Sequence, residues 1–353
     1  MKHWSIFTSF IFCILTMQIT GAIQAQNKLV PLEHFAALPY FANAKLSPNA
    51  RKVGFLTTYE GQKHLVIEDL YGNTNQFIAP IKKGEFSNFY WANAKTIVIE
   101  FDMTVRHFGG RNVNETRLFS FNLTNNTFQW LGKPEKATNS KAQQLSSQFE
   151  RMLHLLPNDP NHILTGMDFE RDGSVTVYKV NLINGARSTL QNGRRGIQNW
   201  YIDQNGAPRF GTGFDNKNKW QSYWKTPEEK WVRNQNPKWL EKYSIAGFSK
   251  DPDIIYVRGY SSEGTMGVYT LSLTSGERTS IVRKDTEVDI DYIIRHPGSD
   301  TIAGVGFYKD FFEVQYTDQH LSDIQSSVSA VLKDKRVSST SKARDVEAYL
   351  IQA

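Results

Sequence analysis

Two short stretches decide the fold: Leu46-Ser-Pro-Asn-Ala-Arg-Lys-Val-Gly-Phe55 and His64-Leu-Val-Ile-Glu-Asp-Leu-Tyr-Gly72. The first is a polar turn leading into an apolar run. The second alternates apolar and polar residues and ends at glycine, the pattern of a half-buried strand entering a tight hairpin. Both patterns recur along the chain. Turn-then-strand segments begin again at Trp91, Leu156, Asp203, Ser249, His296 and Ser341. With Asn49, Asn93, Asn158, Asn205, Asp251, Gly298 and Arg344 as markers, the intervals are about 44, 65, 47, 46, 47 and 46 residues, the period of propeller blades. The alternating element returns at Arg117-Leu-Phe-Ser-Phe-Asn-Leu, Val175-Thr-Val-Tyr-Lys-Val-Asn-Leu and Val268-Tyr-Thr-Leu-Ser-Leu. Its markers Leu70, Leu123, Leu182 and Leu273 keep phase with the first series.

Strand-like runs about ten residues apart give four strands per period, and such sheets hide both faces only by stacking around an axis. The expected fold is therefore all-β: a β-propeller of about seven four-stranded blades, the last incomplete. Polar insertions at 104–117 and 133–147, expected as loops on the second blade, account for the one long interval. Helix is expected only as a short element at Pro31-Leu-Glu-His-Phe-Ala-Ala-Leu and within Gln143 to Leu155.

Composition agrees with a globular body. Of 353 residues, 40% are hydrophobic and 22% charged, which removes disordered and collagen-like classes. The apolar run Trp4 to Ile19, followed by small residues to Ala25, reads as a secretory signal peptide over 1–25, with the propeller over 26–353 and a secreted or periplasmic location. The alternative is an uncleaved anchor. The single cysteine, Cys13, lies in that run, so the mature chain has no thiol for disulfides, thiolate metal sites or cysteine nucleophiles. The +6 net charge is spread along the chain, with only a small cluster at Lys333, Lys335 and Arg336. That reads as a solvated basic surface and not as a nucleic-acid stripe.

The quoted residues resemble the N-terminal β-propeller of the prolyl oligopeptidase family, particularly bacterial acylaminoacyl-peptidase-like members. Leu46-Ser-Pro-Asn-Ala looks like that family's "LSPDG" first-blade signature, with Asn49-Ala50 in place of Asp-Gly. Val66-Ile-Glu-Asp-Leu-Tyr-Gly resembles its "V-x-D-L-x-T-G" hairpin, and Phe89-Tyr-Trp-Ala-Asn-Ala-Lys-Thr-Ile-Val-Ile its second-blade opening. The resemblance implies a following α/β-hydrolase domain with a Ser-Asp-His triad and a propeller that gates peptide access to it. No Gly-x-Ser-x-Gly elbow occurs in this chain, so it is expected to be inactive alone.

No catalytic, cofactor-binding or metal-binding residue is assigned. His34, His64, His107, His154, His162, His296 and His320 are scattered without ligand spacing and read as solvated turn residues; His107, in a glycine-containing insertion, is the one that could face a cavity or partner. Gly259-Tyr-Ser-Ser-Glu-Gly264 reads as a hairpin turn. The Asp285, Glu287, Asp289, Asp291 series reads as one face of a strand, or a loop, with a cation or a basic peptide end as the sharper alternative; Glu228-Glu229 is a second carboxylate pair. Trp220, Trp224, Trp231, Trp239, Tyr223 and Tyr243 read as packing between blades, or else a stacking surface for sugar or peptide. Two functions follow. One is the non-catalytic propeller of a secreted serine peptidase, docking on a hydrolase domain missing from this chain. The other is a stand-alone envelope propeller that binds proteins or ligands. Peptides or a separate hydrolase domain are the expected partners, with no nucleic acid and no membrane span after signal cleavage. Self-association through the incomplete blade, or its closure by a strand from Gln26 to Pro31, is a further expectation.

Overall fold

A computed structural model describes residues 41–72, 74–106, 110–134, 150–226, 228–234, 238–296, 301–333 and 335–352. The expected helix and ring-closing strand between Gln26 and Leu38, along with His34, Cys13 and His107, lie outside them.

Seven antiparallel sheets follow one another along the chain, each built only from consecutive strands. The first comprises β1 (Ala42–Leu46), β2 (Lys52–Tyr59), β3 (Gln62–Asp69) and β4 (Asn75–Ile78). The second has β5 (Gly84–Asn93), β6 (Thr96–Arg106), β7 (Asn112–Asn122) and β8 (Thr127–Trp130). β9 (Glu150–His154), β10 (His162–Met167), β11 (Thr176–Asn181) and β12 (Arg187–Gln191) form the third. The fourth contains β13 (Ile197–Ile202), β14 (Pro208–Phe214), β15 (Trp220–Lys225) and β16 (Trp231–Asn234). After the short helix α1 (Lys238–Lys242), the fifth consists of β17 (Tyr243–Phe248), β18 (Ile254–Tyr260), β19 (Met266–Ser272) and β20 (Arg278–Arg283).

The last two sheets are smaller. The sixth has β21 (Tyr292–Arg295), β22 (Ile302–Tyr308) and β23 (Phe312–Tyr316), and the helix α2 (Gln319–Val331) follows where the repeat calls for a fourth strand. The seventh holds β24 (Ser338–Lys342) and β25 (Tyr349–Gln352).

Hydrophobic clusters lie between neighbouring sheets, as a propeller requires. Leu65 and Ile67 of sheet one meet Phe86, Phe89 and Ile97 of sheet two. Val98 and Leu118 meet Ile163 and Val180. Leu164 and Val177 meet Ile197 and Trp200, Phe210 meets Ile255 and Tyr269, and Val268 meets Val305 and Phe307. The last cluster closes the circle: Leu46, Ala50 and Val53 of sheet one pack on Ala343, Ala348 and Leu350 of sheet seven. Polar contacts reinforce this closure. Leu46 N–H donates to Ser341 Oγ at 3.1 Å, and Asp345 N–H to the Pro48 carbonyl at 2.8 Å.

The two repeating landmarks are bonded to each other. Every turn marker in the described residues falls at the hairpin between the first two strands of a sheet, and each leucine marker directly follows the third strand. The N–H groups of Leu70, Leu123, Leu182 and Leu273 donate to the carbonyls of Arg51, Lys95, Asn161 and Asp253, at 2.8–2.9 Å. The residue before the leucine caps the next turn: Asp69 accepts from Tyr71 N–H, Asn122 from Thr124 and Asn181 from Ile183. This side-chain capping is why Asp and Asn recur there.

Three sequence expectations are corrected. Residues 104–106 and 112–117 are strand, prolonging the β6–β7 hairpin to the pair Arg106↔Asn112; alternating exposure along both arms suits strand pairing. Glu150–His154, read as possible helix, is the strand β9. Of the two readings given for residues 285–291, the loop holds: they form an irregular link between β20 and β21. Its carboxylates cap backbone N–H groups: Asp285 accepts from Glu287, Asp289 from Met266 and Asp291 from Tyr308. Finally, α2 is a helix that the repeat does not anticipate. Asp318 accepts from Leu321 N–H at 2.9 Å as its N-cap, and no glycine or proline interrupts residues 319–331.

Candidate functional site

The first strands of five sheets, β1, β5, β9, β21 and β24, line a cavity of about 530 Å³. Lys45 comes from β1, Tyr90 and Trp91 from β5, and Met152 and His154 from β9. Arg295 comes from β21 and Lys342 from β24, while His296, Arg344 and Pro48 enter from the adjoining turns. Tyr316, Tyr349 and Leu321 complete the wall from β23, β25 and α2.

Lys45 is held firmly. Its ammonium donates to the Phe89 carbonyl at 2.6 Å and to Asn88 Oδ1 at 2.9 Å, and lies 4.9 and 4.8 Å from the ring centroids of Phe89 and Tyr90. Burial pulls its pKa down to about 8, against the pull of Glu100. It is therefore still cationic at neutral pH. Behind it, the Tyr90 hydroxyl donates to Glu100 at 3.2 Å, and burial raises both the Tyr90 phenol and the Glu100 carboxyl above their ordinary ranges.

The other cations are tethered from the rear. Arg344 bonds Asp345 at 2.9 Å and the Ala92 carbonyl at 3.3 Å, and Arg295 donates to the Ala246 carbonyl. His296 pairs with Asp318 at 3.5 Å, and Lys342 with Glu347 at 3.5 Å. Glu347 also accepts from Tyr349 at 2.5 Å and His320 at 2.7 Å; these hydrogen bonds hold its carboxyl at about 2. His154 Nδ1 accepts from Leu156 N–H at 3.1 Å, which puts the proton of the neutral ring on Nε2. Among the described lining residues there are two lysines, two arginines and two histidines, and no carboxylate.

Sequence reasoning assigned no residue to this site. Two of the flagged histidines, His154 and His296, belong to its wall. His64 is buried instead in sheet one, stacked on Phe77 at 4.5 Å, with Nδ1 3.0 Å from the Gln62 carbonyl oxygen. His162 pairs with Asp159 at 2.8 Å, and His320 lies on α2. A signal was available: Lys45, Tyr90, His154, Arg295 and Lys342 all stand two to four positions before their repeat's turn marker. Gly259–Gly264 spans the β18–β19 hairpin, as read. Glu229 is ion-paired with Lys225. The flagged aromatics mostly pack between sheets: Trp231 and Tyr223 join the cluster with Leu164 and Val177 of sheet three, and Trp224, Trp239 and Tyr243 the cluster with Ile255 and Tyr269 of sheet five. Trp220 alone of these tryptophans is largely exposed.

A second ionisable group is buried between sheets two and three. Arg117 pairs with Glu115 and with Glu150, the latter at 3.7 Å, and Arg171 reaches Glu115 at 3.4 Å. Glu150 accepts from Leu118 N–H at 2.8 Å and Trp130 Nε1 at 3.0 Å. A Cβ on Gly132 would stand 2.0 Å from the Glu150 carboxyl carbon, so only glycine admits that carboxyl. Among the described residues no group of three or more His, Cys, Asp or Glu side chains is placed to hold a metal ion, and no helix is long and apolar enough to cross a membrane.

No family model matches the chain, and no curated protein matches it. Solved structures do. An acylaminoacyl peptidase in complex with Z-Gly-Gly-Phe-chloromethyl ketone is 11% identical over 81% of this chain and 46% of that one, with a TM-score of 0.43. An oligogalacturonate lyase in complex with manganese is 11% identical over 78% and 77%, at 0.45. The β-propeller domain of the Trilobed protease from Pyrococcus furiosus is 11% identical over 79% and 83%, also at 0.45. The chain thus spans under half the length of the acylaminoacyl peptidase that it matches. In architecture it is a β-propeller of seven sheets, and its solved structural neighbours include peptidase propellers.

Proposed function

We propose that this chain is the propeller portion of a secreted serine peptidase of the prolyl oligopeptidase type, docking on an α/β-hydrolase domain and gating peptide access to it. One observation carries the reading: the first strands of five of the seven sheets line a cavity of about 530 Å³. That is the volume of a small-ligand site, whereas even a 100-residue folded domain has a radius of gyration of about 13 Å. Such an opening admits a side chain or a short extended peptide and rejects a globular protein. The sequence likeness at Leu46-Ser-Pro-Asn-Ala and Val66-Ile-Glu-Asp-Leu-Tyr-Gly supports the same reading, since both motifs form the hairpins that build sheet one.

The test begins with the DNA that follows codon 353. A frame encoding a Gly-x-Ser-x-Gly hydrolase domain is expected there or in an adjacent gene. Its product should bind this chain and cleave short peptides but not folded proteins while the chain is bound. Unrelated downstream sequence, or a hydrolase partner whose size selectivity is the same without the chain, overturns the proposal.

A further inference from the structure

We propose that the central cavity is an anion-selecting site that takes the carboxylate of an acidic peptide; its assignment to a peptide rests on the gating function proposed above. The charge asymmetry of the wall carries the proposal. Lys45, Arg295, Lys342 and Arg344 all line the space, and no described lining residue is acidic. The carboxylates paired with these groups do not line the space, and two of them are engaged elsewhere as well. Asp318 caps α2 as well as pairing with His296, and Glu347 takes Tyr349 and His320 besides Lys342.

Leu46, Pro48, Trp91 and Ile294 supply apolar wall between these groups. Low-dielectric walls focus the field of like charges into the space they enclose. Neutral donors add to it. Ser341 Oγ accepts from Leu46 N–H, so its own O–H proton is left to donate. The cations are also pre-positioned: Lys45 by two carbonyl oxygens and Arg344 by Asp345 and the Ala92 carbonyl. Little ordering is then left for the ligand to impose, which favours binding.

The experiment is calorimetry on the full chain with three peptides: N-acetylated triglutamate amide, the matching triglutamine amide, and triglutamine with a free C-terminus. The charged side-chain peptide should bind about tenfold or more tightly than the neutral amide, and the free C-terminus reports whether a terminal carboxylate suffices. Lys342→Met and Lys45→Met should each remove most of that preference, read as the ratio of charged to neutral amide binding in each variant. Lys342 is partly exposed, so its variant keeps the test decisive if Lys45→Met fails to fold. Equal binding of the charged and neutral amides overturns the charge selection and leaves peptide gating standing. Failure of every peptide to bind overturns both. Tighter binding of an oligouronate of like charge overturns the assignment to peptide.

Discussion

Glu150 is tightly constrained: fully buried, facing Arg117, and accepting from Leu118 N–H and Trp130 Nε1. Burial raises its pKa from the ordinary glutamate range to about 7, against the pull of Arg117 and of the donors. The folded state therefore binds this proton more tightly than the unfolded chain. The resulting stability is fully present below about pH 4.5 and is lost as pH rises through 7. Carboxyls held at about 2, such as Asp159 and Glu347, act in the opposite sense but only in acid. Thermal melts are expected to give a lower Tm at pH 7.5 than at pH 5.5, and Glu150→Gln should flatten that difference; an unchanged pH profile in the variant would sink the assignment. Glu150→Ala leaves the buried Leu118 N–H and Trp130 Nε1 donors without their acceptor, and is expected to cost roughly 3 kcal/mol. Backbone crowding sets a second residue-level constraint. A Cβ on Gly213 would stand 1.8 Å from the Gly196 carbonyl oxygen, so Gly213→Ala must push neighbouring backbone segments apart, and denaturant melts should show a loss of roughly 2–3 kcal/mol.

At the scale of elements, the hairpins of sheets two, three and five obey one rule. After the third strand the chain turns through a residue of positive φ, whose N–H bonds back to the strand's last carbonyl. Gly185 does this to Asn181 at φ 71° and Gly276 to Ser272 at φ 71°; Asn126 does it to Asn122 at φ 57°. Asparagine adopts that region at lower cost than alanine. Gly185→Ala should therefore lose about 1–2 kcal/mol, whereas Asn126→Gly should leave the melt within about 0.5 kcal/mol of the parent. This rule is why the sheets were legible from sequence: Asn-Gly and Ser-Gly at the hairpins, and Leu182 and Leu273 buried beside them, are local signals repeated in phase. Helix α2 was not legible, because only Leu321 of its thirteen residues is buried and its serines mask the apolar spacing. Its N-cap does the local work. Asp318→Ala should remove about 1 kcal/mol, read as lost helical circular dichroism before the main melt; a coincident single transition of unchanged midpoint would contradict this.

The whole molecule depends on how its ends meet. Sheets two to five could be read from the repeat alone, but closure and the cavity could not, since both join residues almost three hundred positions apart. Lys45 and Lys342 are unremarkable as a sequence pair; only the circular stacking of sheets brings their strands to one wall. Among the described residues no strand is exchanged between the first and last sheets. Within the described residues the circle is shut by side chains, Leu46, Ala50 and Val53 against Ala343 and Leu350, with two hydrogen bonds beside them. A seam made this way is weaker than a ladder of backbone bonds, and opening it need not unravel either sheet. Leu46→Ala, which cuts the seam at a buried position, should cost about 2–4 kcal/mol. Its effect on amide exchange should be local: β1, β2, β24 and β25 should lose protection together, while β10, β11, β14 and β18, buried in the middle of the arc, keep theirs. Faster exchange spread evenly over all seven sheets would mean that the circle opens only by global unfolding, and that closure by side-chain packing is as cooperative as a shared strand.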